Sequence, residues 1–329
     1  MDMTISQAIK KSGIERREAE EMLAFVLKRD RAYVIAHATE KLKPSDNKKY
    51  NDLCERRGKG EPFAYLVGYQ PFLGHDFTVD KNTLIPRPET EGLAERAIER
   101  AKIAHRLRAH AIIVDVGTGS GCIAISASLA CPHATVIASD MSDKALNVAR
   151  KNAKRLGAQV KFIKDDLFGS KIESRISKFK SDFRKSKFSA AEIRPSSFAL
   201  ILVANLPYLP SADKLTMSRD VVKYEPSKAL FAGKDGTHLI VKLLKQIARI
   251  ANISARGGCA SGAESRSSNP TFVNRNSAQR KFDIRYSMFF EIDPSQTDKL
   301  KKLAHELFPK HLIKVERDWC GRERYLIMV

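Results

Sequence analysis

Cysteine is scarce in this chain of 329 residues, and the five that occur are scattered. Their number is odd and no two of them form a Cys-x-x-Cys pair, which argues against a disulfide framework and against a zinc site. The eight histidines show no spacing typical of metal ligands. We therefore expect no bound metal and a reducing, cytoplasmic compartment. The cysteines are Cys54, Cys122, Cys131, Cys259 and Cys320.

Long apolar runs are also missing. No stretch approaches the length of about 20 residues that a membrane-spanning helix needs. The first residues include Asp2, Thr4 and Ser6, so they lack the apolar region of a signal peptide. We therefore expect no membrane partner.

Acidic residues are few relative to basic ones, and the formal net charge is +20. Such an excess is typical of proteins that work near nucleic acid or the ribosome, and it is equally typical of a solvated Lys/Arg surface. The hydrophobic fraction of 43% is ordinary for a globular protein. A chain of this length can bury a large core, and two domains are expected.

The first functional pattern is a predicted strand followed by a glycine-rich loop. Residues 111–116 are mostly apolar and lead into Gly117-Thr118-Gly119-Ser120-Gly121, after which 122–130 has helical character. Glycines permit a tight turn and let a ligand approach backbone N–H groups at the start of a helix. Asp140 ends the next predicted strand about 20 residues on, where an acidic side chain can grip ribose hydroxyls. The array predicts a nucleoside-bearing cofactor, either a dinucleotide or S-adenosylmethionine.

A third predicted strand, Val160–Lys164, ends at Asp165-Asp166-Leu167-Phe168. Because this corner lies beside the glycine loop in such a sheet, we expect it to border the adenine ring. Nothing in the sequence resembles hydride-transfer machinery.

The second functional pattern is Asn205-Leu206-Pro207-Tyr208, which follows the apolar run 198–204. That run predicts a buried parallel strand, and ligands bind beyond the carboxyl ends of such strands. The Asn205 side chain carries an acceptor and a donor, and Pro207 leaves its backbone carbonyl free while its φ is fixed. With the flat ring of Tyr208, these groups suit holding a planar –NH2 by two acceptors. A strand followed by an ordinary turn is the alternative that the motif alone leaves open.

Periodicity divides the chain into three predicted regions. Residues 1–70 are helical and are expected to form a small N-terminal domain for substrate recognition. Residues 71–90 are expected to form a hairpin and a linker, and residues 91–329 a catalytic domain.

Two segments within the predicted catalytic domain, 170–196 and 256–279, resemble insertions. Both are rich in Ser and Arg, and the first is also dense in Lys. Because neither shows periodic apolar residues, we expect both to be exposed and dispensable for folding.

A stiff segment, Leu84-Ile85-Pro86-Arg87-Pro88-Glu89-Thr90-Glu91, precedes the large domain. Its prolines stand on both sides of Arg87 and hold the chain extended. Glu89 and Glu91 open a helix that is predicted to run to about Arg106. We expect this segment to form a wall or lid beside the binding site.

With these residues in view, the chain resembles the bacterial protein-(glutamine-N5) methyltransferase family that modifies peptide chain release factors. The resemblance covers nearly the whole length apart from the two insertion-like segments. Its most specific element is the Pro-Arg-Pro-Glu-Thr-Glu sequence and the distance of that sequence from the glycine loop. The motifs that carry it are 61–68, 84–91, Asp115-x-Gly117-Thr118-Gly119-Ser120-Gly121, Asp140, Asn205-x-Pro207-Tyr208, Tyr224-Glu225-Pro226 and Gly321-Arg322-Glu323-Arg324.

The resemblance implies a class I S-adenosylmethionine-dependent methyltransferase of the α/β class. Its fold would be Rossmann-like, with a mostly parallel seven-stranded sheet and a small helical N-terminal domain. The implied reaction transfers a methyl group to the side-chain nitrogen (N5) of the glutamine in the Gly-Gly-Gln motif of release factors.

The site residues follow from the motifs and from the resemblance together. Those expected to bind S-adenosylmethionine are Gly117, Thr118, Gly119, Ser120, Gly121, Asp140, Asp166, Leu167 and Asn205. The expected catalytic residues are Asn205, Pro207 and Tyr208. The same three are expected to bind substrate, together with Leu206, Arg87 and Glu89.

Two residues depart from the family pattern. Leu206 stands where the family usually has proline, and Asn-Leu-Pro-Tyr is common in ribosomal RNA adenine-N6 dimethyltransferases. Methyl transfer to the N6 amine of adenine in rRNA or DNA is therefore an alternative, although those RNA enzymes lack the helical N-terminal domain and the Pro-Arg-Pro-Glu-Thr-Glu segment. Leu167 stands where an aromatic residue often lies beside the adenine, and Phe168 is expected to substitute.

A third hypothesis is a non-catalytic protein that keeps the cofactor fold and binds the ribosome. The intact glycine loop, Asp140, Asn205 and Tyr208 argue against it. The glutamine reaction is therefore the favoured interpretation.

Overall fold

The N-terminal helices pack around a core of their own. In the computed structural model, which describes residues 3–185, 197–256 and 284–329, Met22, Leu23 and Tyr50 are fully buried between these helices. The second helix begins after Glu15, whose carboxylate accepts hydrogen bonds from two backbone N–H groups of the first turn. The helices are α1 (Ile5–Lys11), α2 (Arg16–Leu27), α3 (Arg31–Ala36), α4 (Pro44–Gly58) and α5 (Phe63–Val67).

A hairpin and a long helix connect this region to the sheet. Strands β1 (Tyr69–Phe72) and β2 (His75–Thr78) pair antiparallel, and α6 (Pro88–Arg106) follows the proline-bracketed segment. Pro88 occupies the start of α6, where no backbone N–H is needed, and two glutamates in the first turn complement the helix dipole. The division of the chain near residues 70 and 90 stays a prediction.

The large region is built on a seven-stranded sheet with the order β5-β4-β3-β6-β7-β9-β8. Strands β3 to β7 run parallel, and β9 pairs antiparallel with both β7 and β8. The central strands are apolar on both faces because helices cover both. This confirms the predicted mostly parallel α/β sheet. Its strands are β3 (Ala109–Val116), β4 (Thr135–Asp140), β5 (Val160–Lys164), β6 (Ser197–Ala204), β7 (Ile284–Glu291), β8 (Ile313–Arg317) and β9 (Glu323–Met328).

Two apolar layers form on the two faces of the sheet. One contains the buried faces of α6 and α7, and the other contains apolar residues of α9, α11 and α12. In the described residues, no helix combines the length and apolar character that crossing a membrane requires. The helices of the large region after α6 are α7 (Cys122–Ala130), α8 (Asp143–Leu156), α9 (Ser170–Lys185), α10 (Arg219–Tyr224), α11 (His238–Arg256) and α12 (Thr297–Leu307).

The expectation that residues 170–196 form an exposed segment is wrong for α9. Ile172 is 0% exposed and Ile176 is 4% exposed, and Phe179 packs against the same apolar layer. These three residues recur at positions i, i+4 and i+7, which places them on one helix face. The basic residues around them obscured that period in the sequence. Residues 186–196 and 257–279, also predicted to be exposed, lie outside the described residues.

Candidate active site

A cavity of about 500 Å³ opens beyond the carboxyl ends of β3, β4, β5 and β6. This is the edge at which parallel sheets bind ligands, and the volume lies within the usual range for small-molecule sites. Most of the predicted site residues line it. They are Arg87, Gly117, Thr118, Gly119, Ser120, Asp140, Asp166, Leu167, Asn205, Leu206 and Pro207.

The glycine loop is held by backbone hydrogen bonds to the neighbouring strand. The N–H groups of Gly117 and Thr118 both donate to the Ser139 carbonyl, at 2.9 Å each. Gly119 has a φ of +56°, in the left-handed region that favours glycine, and open space surrounds the position of a Cβ. This side of the loop therefore leaves room for a ligand to approach the backbone.

Asp140 joins the glycine loop to the start of α8. Its Oδ2 accepts from the Gly119 N–H at 3.0 Å, and its Oδ1 accepts from the Ser142 N–H at 2.8 Å. Burial raises the pKa of Asp140, and these backbone donors act against that rise. The carboxylate lines the cavity and each oxygen has a second lone pair, so it can still accept from a ligand hydroxyl.

Asp115 lies beneath the loop and was not predicted as a site residue, although it stands in the motif. Its Oδ2 accepts from the Thr118 hydroxyl at 2.6 Å and from the Ala124 N–H at 3.2 Å. Its Oδ1 is buried and has no hydrogen-bond partner among the residues described. Burial raises the pKa of Asp115 to about 7. This side chain therefore supports the loop from the protein side.

Asn205 presents its side-chain oxygen toward the cavity. Its Nδ2 donates to the Thr90 hydroxyl at 2.8 Å, so the amide hydrogen-bonds the protein through its nitrogen. Neither Asn205 Oδ1 nor the Pro207 carbonyl accepts a hydrogen bond within residues 3–185, 197–256 and 284–329. Both residues line the cavity. Two acceptors are thus available at the end of β6.

Tyr208 supports the same turn but is not among the residues that line the cavity. Its hydroxyl donates to Glu291 Oε1 at 3.0 Å, and its carbonyl accepts from Gln296 Nε2 at 2.7 Å. Gly236 is required nearby because a Cβ there would lie 1.9 Å from the Tyr208 carbonyl oxygen. Burial raises the pKa of the Tyr208 phenol. The structure thus ties Tyr208 to the protein on both sides, and its predicted contact with substrate stays a prediction.

Glu225 fastens the proline-bracketed segment against the cavity. Its Oε1 lies 2.5 Å from Arg87 Nη2, and its Oε2 accepts from the Ile85 N–H at 3.3 Å. Glu225 is buried, and the following turn, residues 226–229, also lines the cavity. The segment therefore forms a wall of the site. Sequence reasoning named the Tyr-Glu-Pro motif without a role for Glu225.

The corner after β5 differs in part from expectation. Leu167 lines the cavity with a φ of +57°, and Asp166 pairs with Lys242 at 2.5 Å. Phe168 is buried in the apolar layer and does not line the cavity, so its predicted role beside an adenine ring is wrong. The apolar side chain turned into the core rather than toward the ligand edge.

Two other predicted site residues also lie outside the cavity lining. Gly121 caps α7 with a φ of +85°, and a Cβ there would lie 2.8 Å from Ile125 Cδ1. Glu89 contributes its backbone carbonyl, which accepts from the Tyr325 hydroxyl at 2.7 Å. Both positions support the architecture around the site. No group of His, Cys, Asp or Glu within the described part of the chain could hold a metal ion.

The sheet, the glycine loop and the cavity define a methyltransferase, and two family models agree. Residues 101–177 match the methyltransferase small domain, and residues 4–68 match the PrmC N-terminal domain. Among solved structures, the ribosomal protein L11 methylase of Lactobacillus delbrueckii subsp. bulgaricus aligns with 79% of this chain and 88% of its own. The identity of that pair is 18% and the TM-score is 0.38, a weak likeness.

Curated relatives share one name. The release factor glutamine methyltransferases of Koribacter versatilis and Bordetella pertussis are each 36% identical to this chain over 70% of its length, which covers 74% and 76% of those proteins. The enzyme of the same name from Bacillus cereus is 27% identical over 97% of this chain and 94% of its own. The chain belongs to the release factor glutamine methyltransferase family.

Proposed function

We propose that the chain transfers the methyl group of S-adenosylmethionine to the side-chain amide nitrogen of the glutamine in the Gly-Gly-Gln motif of peptide chain release factors. The observation that carries this proposal is the pair of free acceptors, Asn205 Oδ1 and the Pro207 carbonyl, at the cavity. A primary amide presents two N–H hydrogens in one plane, which two such acceptors can hold. The names of the relatives support the same substrate.

The residues around the cavity fit the proposed cofactor. The glycine loop offers open backbone at Gly119, and Asp140 offers acceptor lone pairs where ribose hydroxyls would bind. Ser120 Oγ is buried without a hydrogen-bond partner in the described residues. We assign cofactor binding to the loop residues 117–120, Asp140, Asp166 and Leu167. S-adenosylmethionine supplies an electrophilic methyl group on a positively charged sulfur.

The chain's own contribution to the chemistry is orientation. An amide nitrogen is a poor nucleophile because its lone pair is delocalised into the carbonyl. Asn205 Oδ1 and the Pro207 carbonyl hold the two amide hydrogens and so fix the direction of the nitrogen. Fixing a reactant in this way can lower a barrier by several kcal/mol. Positive charge that develops on the nitrogen faces both acceptors, which stabilises the transition state.

Leu206 does not favour adenine as the acceptor. Its side chain is 3% exposed and packs toward Gly117, where its Cδ2 lies 2.8 Å from the position of a Cβ. An apolar side chain there fills space beneath the loop and adds no group that could read a base. The curated relatives are named for release factors, and so the RNA alternative is not favoured. Recognition of the release factor by residues 1–70, and proximity to nucleic acid, stay predictions.

Incubation with labelled S-adenosylmethionine tests the proposal. The full chain is given a purified release factor in one reaction and a ribosomal RNA pool in another. We expect label in the protein reaction only, and we expect Asn205→Ala to abolish most of it. Label in the RNA, with the release factor unmodified, would replace the proposal with the adenine alternative.

A further inference from the structure

A chain of buried hydrogen bonds lies behind Asn205. The Thr90 hydroxyl accepts from Asn205 Nδ2 and donates to Glu291 Oε2, with 2.8 Å for each bond. The other carboxylate oxygen, Oε1, accepts from the Tyr208 hydroxyl at 3.0 Å. Glu291 is 1% exposed and does not line the cavity, whereas Thr90 does. The carboxylate therefore reaches the cavity only through other side chains.

The polarity of this chain is fixed by hydrogen counting. An ionised carboxylate only accepts, and it takes the single hydroxyl hydrogen of Thr90. Thr90 then has only lone pairs to offer Asn205. The Asn205 amide must therefore turn its NH2 group to Thr90, and its oxygen faces the cavity. The opposite orientation would place two acceptors against each other at 2.8 Å.

The surroundings of Glu291 oppose the cost of burying its charge. Burial raises the pKa of Glu291, while the hydroxyls of Thr90 and Tyr208 and the positive charge of Arg324 act against that rise. Arg324 is itself buried and pairs with Asp318 at 3.2 Å. A buried carboxylate with this set of partners lies too far from the cavity to touch substrate. Its position instead suits control of the side chains between it and the cavity.

We propose that Glu291 is a positioning residue that, through Thr90, makes Asn205 present an acceptor and so makes the site select a glutamine amide over a glutamate carboxylate. This inference rests on the proposed function, because it assigns the specificity of the same site. An amide offers hydrogens to the two acceptors. A carboxylate would set its own lone pairs against them, which is repulsive and leaves buried polar groups unpaired.

Glu291→Gln should reverse the polarity. The glutamine has one acceptor and one donor, and Tyr208 has no other printed acceptor for its hydrogen. Both hydroxyls stay satisfied only if the new NH2 group faces Thr90 and the new carbonyl faces Tyr208. The Thr90 hydrogen then turns to Asn205, whose oxygen follows it. Asn205 consequently presents its NH2 group to the cavity, where it matches a carboxylate rather than an amide.

The test compares two peptides that carry the Gly-Gly-Gln loop of a release factor and differ only by glutamine or glutamate at the last position. Their dissociation constants are measured by calorimetry on the full chain saturated with S-adenosylhomocysteine. We expect the wild type to prefer the glutamine peptide by roughly tenfold or more, and Glu291→Gln to lose or reverse that preference. Turnover of the glutamine peptide should fall by a similar factor, while the Kd of the cofactor stays within about threefold.

Ser287→Ala is the matched control on the same strand. Ser287 is as buried as Glu291, and its hydroxyl accepts from Arg100 Nε at 2.8 Å. Its loss should lower the Tm without changing peptide preference. If Glu291→Gln does not fold, Thr90→Val and Thr90→Ser replace it: valine should weaken the preference, and serine, which keeps the hydroxyl, should recover most of it.

Two failures are distinguishable. A wild type that binds neither peptide, or that prefers glutamate, would overturn the proposed function and this inference with it. A wild type that prefers glutamine, beside a folded Glu291→Gln or Thr90→Val that keeps the full preference, would overturn this inference alone.

Discussion

The ends of β3 and β6 lie side by side, but they are held in different ways. The loop after β3 is fastened by contacts that are close in the sequence: Gly119 and Asp140 are 21 positions apart, and Thr118 and Asp115 are three apart. Asn205, after β6, is fastened by Thr90, which lies 115 positions away, and Thr90 is fastened by Glu291, a further 201 positions along the chain. One half of the site is thus nearly self-contained, and the other half depends on the whole fold.

This difference matches a division of tasks in the proposed reaction. The self-contained loop would bind a cofactor whose shape is constant. The end of β6 would orient an amide, and an oriented acceptor needs neighbours that allow only one direction. Variants in the two halves should therefore affect different measurements.

The largest effect is expected from Asn205→Ala. It removes one of the two acceptors for the amide, so turnover should fall by about 10²- to 10³-fold. The Kd of S-adenosylmethionine should stay within a few-fold, because the loop after β3 keeps its own contacts. Methylation rates and calorimetry measure the two quantities. A large loss of cofactor affinity together with turnover would show that the halves are not separate.

Asp115→Asn tests the support beneath the loop. The folded protein keeps the Asp115 proton to a pH of about 7, while the ordinary pKa is 3.8. The folded state therefore binds more protons, and stability should fall as the pH rises from about 4 to about 7. Full ionisation at this buried site costs at most about 4 kcal/mol of the free energy of unfolding. Asparagine avoids that cost, so the Tm advantage of the variant should be larger at pH 8 than at pH 5. An equal difference at both values would contradict the assignment.

Asp140→Ala should weaken cofactor binding by roughly 2–3 kcal/mol, because charge-assisted hydrogen bonds to the ligand and to Gly119 are lost. Asp143→Ala is the matched control, since that carboxylate is exposed and pairs with Lys164 on the surface. Calorimetric titration compares the two variants. Unchanged affinity in Asp140→Ala would remove Asp140 from the cofactor site.

The smallest effect is expected from the wall of the cavity. Arg87→Met leaves the buried Glu225 without its cation and should destabilise the fold by about 1–2 kcal/mol, less than for a fully buried pair because Arg87 is partly exposed. Arg106→Met breaks an exposed pair with Glu99 and should change stability by about 0.5 kcal/mol or less. Denaturant unfolding of both variants separates the two. Equal losses would show that Glu225 does not fasten the segment.

The same difference between local and distant contacts explains what the sequence could predict. Strands such as Val160–Lys164 and the helix Cys122–Ala130 follow from apolar runs and a glycine loop, which are local signals. Asn205 was recognisable because a polar motif follows an apolar strand. Glu291 was not, since its role comes from a neighbour in space and the sequence shows only the end of an apolar strand. Ile172 and Ile176 were missed because basic residues hid their helical period.

The position of the transferred methyl group tests the central claim most directly. A release factor is methylated by the full chain, digested and analysed by tandem mass spectrometry, with ribosomal RNA present in the same reaction. Our account predicts one methyl group on the side-chain amide nitrogen of the glutamine in the Gly-Gly-Gln motif, because two acceptors at the end of β6 hold that nitrogen. A methyl group on another atom of the release factor, or on adenine in the RNA while that glutamine stays unmodified, would contradict it.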